Sequence, residues 1–139
     1  MADQARVVYS YSTSVPDEPG QAFKVLATLV STGVNLLGCS GTQSDGQARI
    51  DVVPDDSGAF ATIVERAMLG FRRQKAGFLI QGDDRPGALA DHLSRLADTG
   101  INVGGVNGLA AGAGRWGAIV WIADRDLKAA ARALGATLP

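Results

Sequence analysis

The sequence predicts an α+β fold made of two similar units, each with the order strand, helix, strand, strand, helix, strand. Three observations support this prediction. A string of residues recurs at a constant displacement of 67 positions (84 − 17). Each copy alternates between strand-like and helix-like hydrophobic periods. The 139 residues also suffice for two small units, each of about 65 to 70 residues.

The repeated string is an internal duplication that covers almost the whole chain. The first copy reads Asp17-Glu18-Pro19-Gly20, Leu26, Leu29, Gly33, Val34 and Asn35, and the second reads Asp84-Arg85-Pro86-Gly87, Leu93, Leu96, Gly100, Ile101 and Asn102. We place the first unit at residues 1–75 and the second at residues 76–139. Units this small bury only about 60% of their unfolded surface, so we expect the pair to form one cooperative body.

The first half begins with a predicted strand at residues 7–12, whose apolar residues alternate. Turn residues 15–20, rich in proline and acidic side chains, predict the start of a helix. Gly33 ends that helix in a left-handed conformation. Its predicted core stripe consists of Phe23, Leu26, Ala27, Leu29 and Val30.

A hairpin and a second helix complete the first half. Residues 34–42 and 47–53 predict two strands joined at Asp45-Gly46, a two-residue turn signal. Residues 54–58 open a helix that runs to about residue 68, and residues 71–75 form a short closing strand.

The second half repeats this order, with strands at 77–81, 101–109 and 116–122 and helices at 86–99 and 124–134. Asp124 is the expected N-cap of the last helix, and residues 135–139 are barely long enough for a strand. Each half then forms a ferredoxin-like antiparallel sheet with both helices on one face.

Composition excludes several classes of function. The net charge is −1, the pI is about 5.7, and like charges do not cluster, which argues against nucleic-acid or anionic-membrane binding. We find no signal peptide or apolar span and expect a cytoplasmic protein. A single cysteine and a single histidine exclude an internal disulfide and disfavour a metal site. No cofactor is expected.

The strand at residues 116–122 is apolar at both odd and even positions, among them Ile119 and Trp121. A sheet with helices on one face should be polar on the other. We therefore expect a partner subunit, in a homodimer, to cover this face; a solvated apolar patch is the alternative.

Asp-x-Pro-Gly before a helix, leucines at helical spacing, and Gly-Val/Ile-Asn entering the next strand resemble the signature of the ACT domain. The chain is therefore similar to a tandem-ACT, amino-acid-binding regulatory protein. The resemblance implies two ACT units side by side in a continuous antiparallel sheet, with helices on one face. It also implies that second strands meet at a seam where ligands bind. The implied ligand-binding residues are Asp17, Glu18, Pro19, Gly20, Gln21, Asn35, Leu36, Asp84, Arg85, Pro86, Gly87, Ala88, Asn102 and Val103.

Physical chemistry supports these assignments. Free N–H groups at a helix start attract a carboxylate. An Asp side chain accepts an ammonium group, and an Asn amide offers a donor and an acceptor. If one site alone is occupied, the Asp84 turn is favoured because Arg85 can assist a carboxylate. The same motifs also have a purely structural interpretation, a helix-initiating turn followed by a turn asparagine.

Other signals are interpreted structurally. Residues 112–117 match G-x-G-x-x-G but lead into a strand, so they predict a hairpin tip rather than a dinucleotide site. His92 is expected at the margin of a packed face, and Cys39 as a small buried hydrophobe. A Cys39–His92 nucleophile pair is a minor alternative.

The leading hypothesis is a non-catalytic regulatory protein that binds an amino acid between its two units. The second is a ligand-independent subunit that binds a metabolic enzyme through its sheet edges or apolar sheet face. A third, a small hydrolase using Arg115 or Asn107, has little support, and we infer no enzyme activity.

Overall fold

The structure is a computed structural model that describes residues 3–138. It contains six antiparallel strands and four α-helices, which confirms the predicted α+β class with two ferredoxin-like units. The strands are β1 (Gln4–Pro16), β2 (Leu36–Ser44), β3 (Gln47–Pro54), β4 (Arg72–Asp83), β5 (Val103–Gly112) and β6 (Arg115–Ile122). The helices are α1 (Gln21–Ser31), α2 (Ser57–Ala67), α3 (Ala88–Asp98) and α4 (Leu127–Leu134).

The chain divides into two compact units. One comprises Tyr9–Gln74, and the other combines residues 3–8 with the chain from Lys75 onward. The chain passes between the units inside β1 and again inside β4. Both strands are therefore longer than expected, and the separate strands predicted at 71–75 and 77–81 are one. The sequence placed residues 3–8 with the first half, whereas the structure places them with the second.

In the N-terminal unit the hydrogen-bonded strand order is β2-β3-β1. Both helices contribute to one core, through Leu29 from α1 and Phe60 from α2. Phe60 contacts Tyr11 and Phe71, with ring centroids 4.8 and 5.5 Å apart respectively. Helices on one face of the sheet agree with the prediction.

In the C-terminal unit β6 lies between β4 and β5, and the N-terminal part of β1 is the strand beside β4. The core joins Phe78 and Val120 of the sheet to Leu96 of α3 and Ala130 of α4. Residues 5 and 7 pack against the same core, and Arg6 forms a parallel bridge with Thr137. These contacts explain why residues 3–8 belong to this unit.

Two local predictions differ from the structure. In the predicted α1 stripe, Leu26 and Leu29 lie at the core as expected, but Phe23, Ala27 and Val30 are exposed, Phe23 and Val30 to 74% each. Val25, which the prediction omitted, packs against the core. Asp124 starts a single 3₁₀ turn rather than capping α4, which begins at Leu127 after Asp126. The two hairpin tips and the left-handed Gly33 agree with the predictions.

Candidate functional site

The two Asp-x-Pro-Gly turns have the same geometry. The Asp17 N–H donates to the Gly46 carbonyl at 3.0 Å, and the Asp84 N–H donates to the Gly114 carbonyl at 2.8 Å. Each turn is thereby held against the tip of the following hairpin. Gly20 and Gly87 then adopt left-handed φ angles of 86° and 80°, which glycine tolerates at little cost.

The helices that follow these turns start without side-chain caps. Within residues 3–138, the N-cap residues Gly20 and Gly87 provide no side-chain hydrogen bond, and in each first turn only the first N–H, of Gln21 or Ala88, donates to a carbonyl of the preceding turn. By contrast, Asp56 caps α2 by accepting the Ala59 N–H at 3.0 Å. Unbonded N–H groups at a helix start favour an anion. Both predicted sites therefore offer donors for a carboxylate.

Side chains make the two turns unequal. Gln43 of the first hairpin donates to the Asp17 carboxylate, whereas no side chain within residues 3–138 bonds the Asp84 carboxylate. Arg85 is paired with Asp91 at 2.7 Å, in a solvent-exposed ion pair. The Asp84 carboxylate is thus the more available acceptor, and Arg85 already has an anionic partner.

The remaining turn residues are mostly exposed. Glu18, Pro19, Gly20, Pro86 and Gly87 lie at the surface, Gln21 is half-buried, and Ala88 is buried in the C-terminal core. Exposure leaves both turns open to a small molecule, and the buried Ala88, the first residue of α3, anchors the second turn to the C-terminal core.

The predicted asparagines lie at the other end of the same helices. Asn35 follows α1 and Asn102 follows α3, and both side chains are exposed. Leu36 and Val103, half-buried, begin β2 and β5 beside a β-bulge in each strand. An 11-residue helix spans about 16 Å. One zwitterion therefore cannot bridge the turn and the asparagine of the same unit.

The expected seam between second strands is not formed within the chain. Among the described strands, β2 pairs only with β3, and β5 pairs only with β6. The crossover connections place both second strands at sheet edges, so each keeps one row of backbone groups unpaired.

Cys39 and His92 differ from their predicted roles. Cys39 is exposed on edge strand β2; partial burial, and secondarily the negative charge of Asp51, raise the pKa of its thiol. His92 is 3% exposed, with its ring nitrogens bonded to Asp3 and Arg95. Neither side chain has the environment of an activated nucleophile or its base.

Two residues of interest escaped the sequence analysis. Asp3 contacts His92 across 89 positions, and Gln43 contacts Asp17 across 26; no local pattern indicates either pair. Residues 112–117 include the tip of the β5–β6 hairpin at Ala113 and Gly114, as predicted. Within residues 3–138 no cluster of side chains is suited to a metal ion, and no helix is long and apolar enough to cross a bilayer.

The sequence matches no protein-family model and no curated protein. Its structure is similar to a protein from Bacteroides thetaiotaomicron, with a TM-score of 0.72 and 16% identity over 92% of this chain and 88% of that one. It is also similar to the ligand-free regulatory subunit of aspartate kinase from Thermus thermophilus, with a TM-score of 0.61 and 20% identity over 96% and 93% of the two chains. The corresponding subunit from Thermus flavus gives a TM-score of 0.58 and 19% identity over 96% and 94%. These likenesses confirm the predicted fold, two ferredoxin-like units in tandem.

Proposed function

We propose that this chain is a non-catalytic regulatory protein that binds an amino acid at sites completed by a second copy of the chain. The observation that carries the proposal is the duplicated set of an Asp-x-Pro-Gly turn, an uncapped helix start and an asparagine just before an edge strand. Regulatory subunits of aspartate kinase share the fold, which supports a regulatory role.

A second copy is needed because the turn and the asparagine of one unit lie at opposite ends of the same helix, too far apart for one ligand to contact both. In an antiparallel pair of edge strands, the start of one strand lies beside the end of the other. The end of β5 leads into the hairpin that holds the Asp84 turn. Pairing β5 with β5 of a second copy therefore brings Asn102 of the second copy towards the Asp84 turn. By the same reasoning, pairing β2 with β2 of a second copy brings Asn35 of the second copy towards the Asp17 turn.

The edge strands support such pairing. β2 has nine residues and β5 has ten, and neither contains a charged residue or a proline. Proteins normally protect exposed edges with lysine, proline or very short strands. In β5, Leu109 and Val106 are also exposed. These edges lack protection against association, as expected for strands that pair in a homodimer.

The Asp84 turn is the preferred site. Its carboxylate accepts the ligand ammonium, the free N–H groups of α3 bind the ligand carboxylate, and Asn102 from the second copy bonds both. The Asp17 carboxylate is less available because Gln43 already bonds it.

A thermal-shift and calorimetric screen of the proteinogenic amino acids tests ligand binding. A ligand at 100 times its Kd stabilises the folded protein by about 2.7 kcal/mol. Asp84→Ala should abolish that stabilisation, whereas Asp17→Ala, the matched change in the other repeat, should largely retain it. Failure of every amino acid to bind the folded protein would refute the proposal.

Mixing two binding-deficient variants tests whether the site is shared between copies. In a dimer of Asp84→Ala with Asn102→Ala, one site carries both changes and the other carries neither. Mixing should restore about a quarter of the wild-type sites, since about half of the dimers are hybrids in random two-fold assembly. A mixture as inactive as each variant alone would place both residues in the same chain's site.

A second candidate function is ligand-independent binding of a metabolic enzyme. Its supporting observation is the exposed apolar stripe on α1, formed by Phe23, Ala27 and Val30. The corresponding positions of α3 carry Ala90, Ser94 and Ala97, so the fold does not require bulky residues there. In this case, Phe23→Ser would weaken capture of the enzyme, while Asn102→Ala would leave it unchanged.

A further inference from the structure

The N-terminal segment, residues 3–8, is an added strand of the C-terminal unit. Ala5 and Val7 are half-buried against the core of that unit, and Arg6 bridges Thr137. The segment is far along the chain from α3 and β6, the elements whose side chains it contacts. Its correct alignment therefore depends on contacts that are distant along the chain.

Hydrophobic contacts alone do not define that alignment. Ala5 and Val7 pack against the C-terminal core, and Tyr9 and Tyr11 continue the apolar alternation along β1 into the N-terminal unit. A slip of one residue turns the apolar side chains to the other face, but a slip of two residues retains the pattern. A further contact is needed to distinguish the native register from the slipped one.

The first residue of the segment supplies a buried polar contact. Asp3 Oδ2 lies 2.6 Å from His92 Nε2, and the two side chains are 13% and 4% exposed. The guanidinium of Arg95 contacts Nδ1 of the same ring. Because a guanidinium only donates, Nδ1 accepts and the proton resides on Nε2. In this arrangement His92 Nε2 donates to the Asp3 carboxylate.

Gly82 and Trp116 shape the place that this carboxylate occupies. A Cβ on Gly82 would overlap Asp3 Oδ1, and the same Cβ would lie 3.1 Å from Trp116 Nε1. Trp116 is 6% exposed, and its Nε1 has no hydrogen-bond partner among residues 3–138. His92 Nε2 and Trp116 Nε1 thus border the space that the Asp3 carboxylate occupies. That space is open only because residue 82 is glycine.

The duplication provides an internal control. His92 corresponds to Val25 of α1 (92 − 67), so the same position of the fold is satisfied by a hydrocarbon side chain. Burying a charged carboxylate is costly unless it is paired. The polar cluster is therefore not a requirement of helix packing in this fold.

We propose that His92, Gly82 and Trp116 form a carboxylate receptor for Asp3, and that this receptor sets the register at which residues 3–8 join the C-terminal unit. A buried polar pair is a known means of selecting one register among hydrophobically equivalent ones. The receptor shares no residue with the proposed amino-acid site.

Hydrogen exchange of the full chain tests the receptor. Asp3→Ala should speed exchange of the amides of residues 4–8 by roughly tenfold or more, since a lost hydrogen bond to a charged group costs about 1.5–3 kcal/mol. His92→Val, which installs the residue of the first repeat, should act similarly. Asp98→Ala, an exposed change at the end of α3, should have little effect. Unchanged exchange in both Asp3→Ala and His92→Val would overturn the proposal.

Cysteine cross-linking measures the register directly, in a Cys39→Ser background. Thr137→Cys should cross-link to Arg6→Cys in the parent chain. When Asp3→Ala is added, cross-linking of Thr137→Cys to Gln4→Cys or Val8→Cys should also form, as a two-residue slip requires. Exclusive pairing with position 6 after loss of Asp3 would refute the register role even if the segment loosens.

Discussion

Replacement of Leu96 by alanine tests the predicted cooperativity of the two units. Leu96 of α3 is completely buried in the C-terminal core. Deleting such a side chain removes its transfer free energy and leaves a cavity, at a cost of about 2–5 kcal/mol. The matched change in the first repeat is Leu29→Ala, because Leu29 is 1% exposed. With an m value of about 2 kcal/mol/M in urea, a loss of about 3 kcal/mol lowers the midpoint by about 1.5 M.

The assay uses the uneven distribution of tryptophan. Trp116 and Trp121 are the only two tryptophans, and both lie in the C-terminal unit. Fluorescence therefore follows that unit, while far-ultraviolet circular dichroism follows the whole chain. Strands β1 and β4 run through both units, so we expect Leu29→Ala to lower the fluorescence midpoint too. The two signals should remain coincident.

One outcome contradicts this reasoning. If Leu29→Ala leaves the fluorescence transition in place while circular dichroism becomes biphasic, the units unfold independently. Val30→Ala is the control, because Val30 is exposed on the same helix. Val30→Ala should change the free energy of unfolding by no more than about 0.5 kcal/mol.

Three further predictions concern single positions. Gly87→Ala should destabilise the folded protein by about 1–2 kcal/mol, because alanine is strained in the left-handed conformation of residue 87. Gly87→Asn should cost less, since asparagine tolerates that conformation better. Equal urea midpoints for the two variants would contradict this. Cys39 should alkylate slowly at neutral pH because its thiol pKa is raised chiefly by burial, and Asp51→Asn should speed alkylation only modestly. Since the folded state holds that proton more tightly, stability should fall as pH rises through the alkaline range. Tyr11→Phe removes the 2.6 Å contact with Ser57 Oγ and should cost about 1 kcal/mol in urea unfolding.

Much of the local structure was predictable because its causes are local. Asp45-Gly46 and the glycines at 20, 33, 87 and 100 adopt the positive φ angles that their turns and helix ends require. The duplicated string placed both helix starts and both second strands. By contrast, the predicted core stripe of α1 was partly wrong, since Phe23 and Val30 have the helical spacing of core residues but face solvent.

Contacts between distant segments were not predictable. Asp3 and His92 are far apart in sequence, and each is unremarkable in its own neighbourhood. Cys39 alternates with apolar residues as a buried side chain would, yet it is exposed because β2 is an edge strand. The pattern of one strand does not reveal which neighbour covers it.

The sequence by itself determined the duplication, the element types, and the two turns that begin α1 and α3, because periodicity and turn chemistry act over a few residues. The tertiary structure alone decided that β2 and β5 do not pair with each other within the chain, and that residues 3–8 belong to the C-terminal unit. Those outcomes depend on which strands hydrogen-bond to which, and strand pairing is an interaction between segments that no single segment encodes.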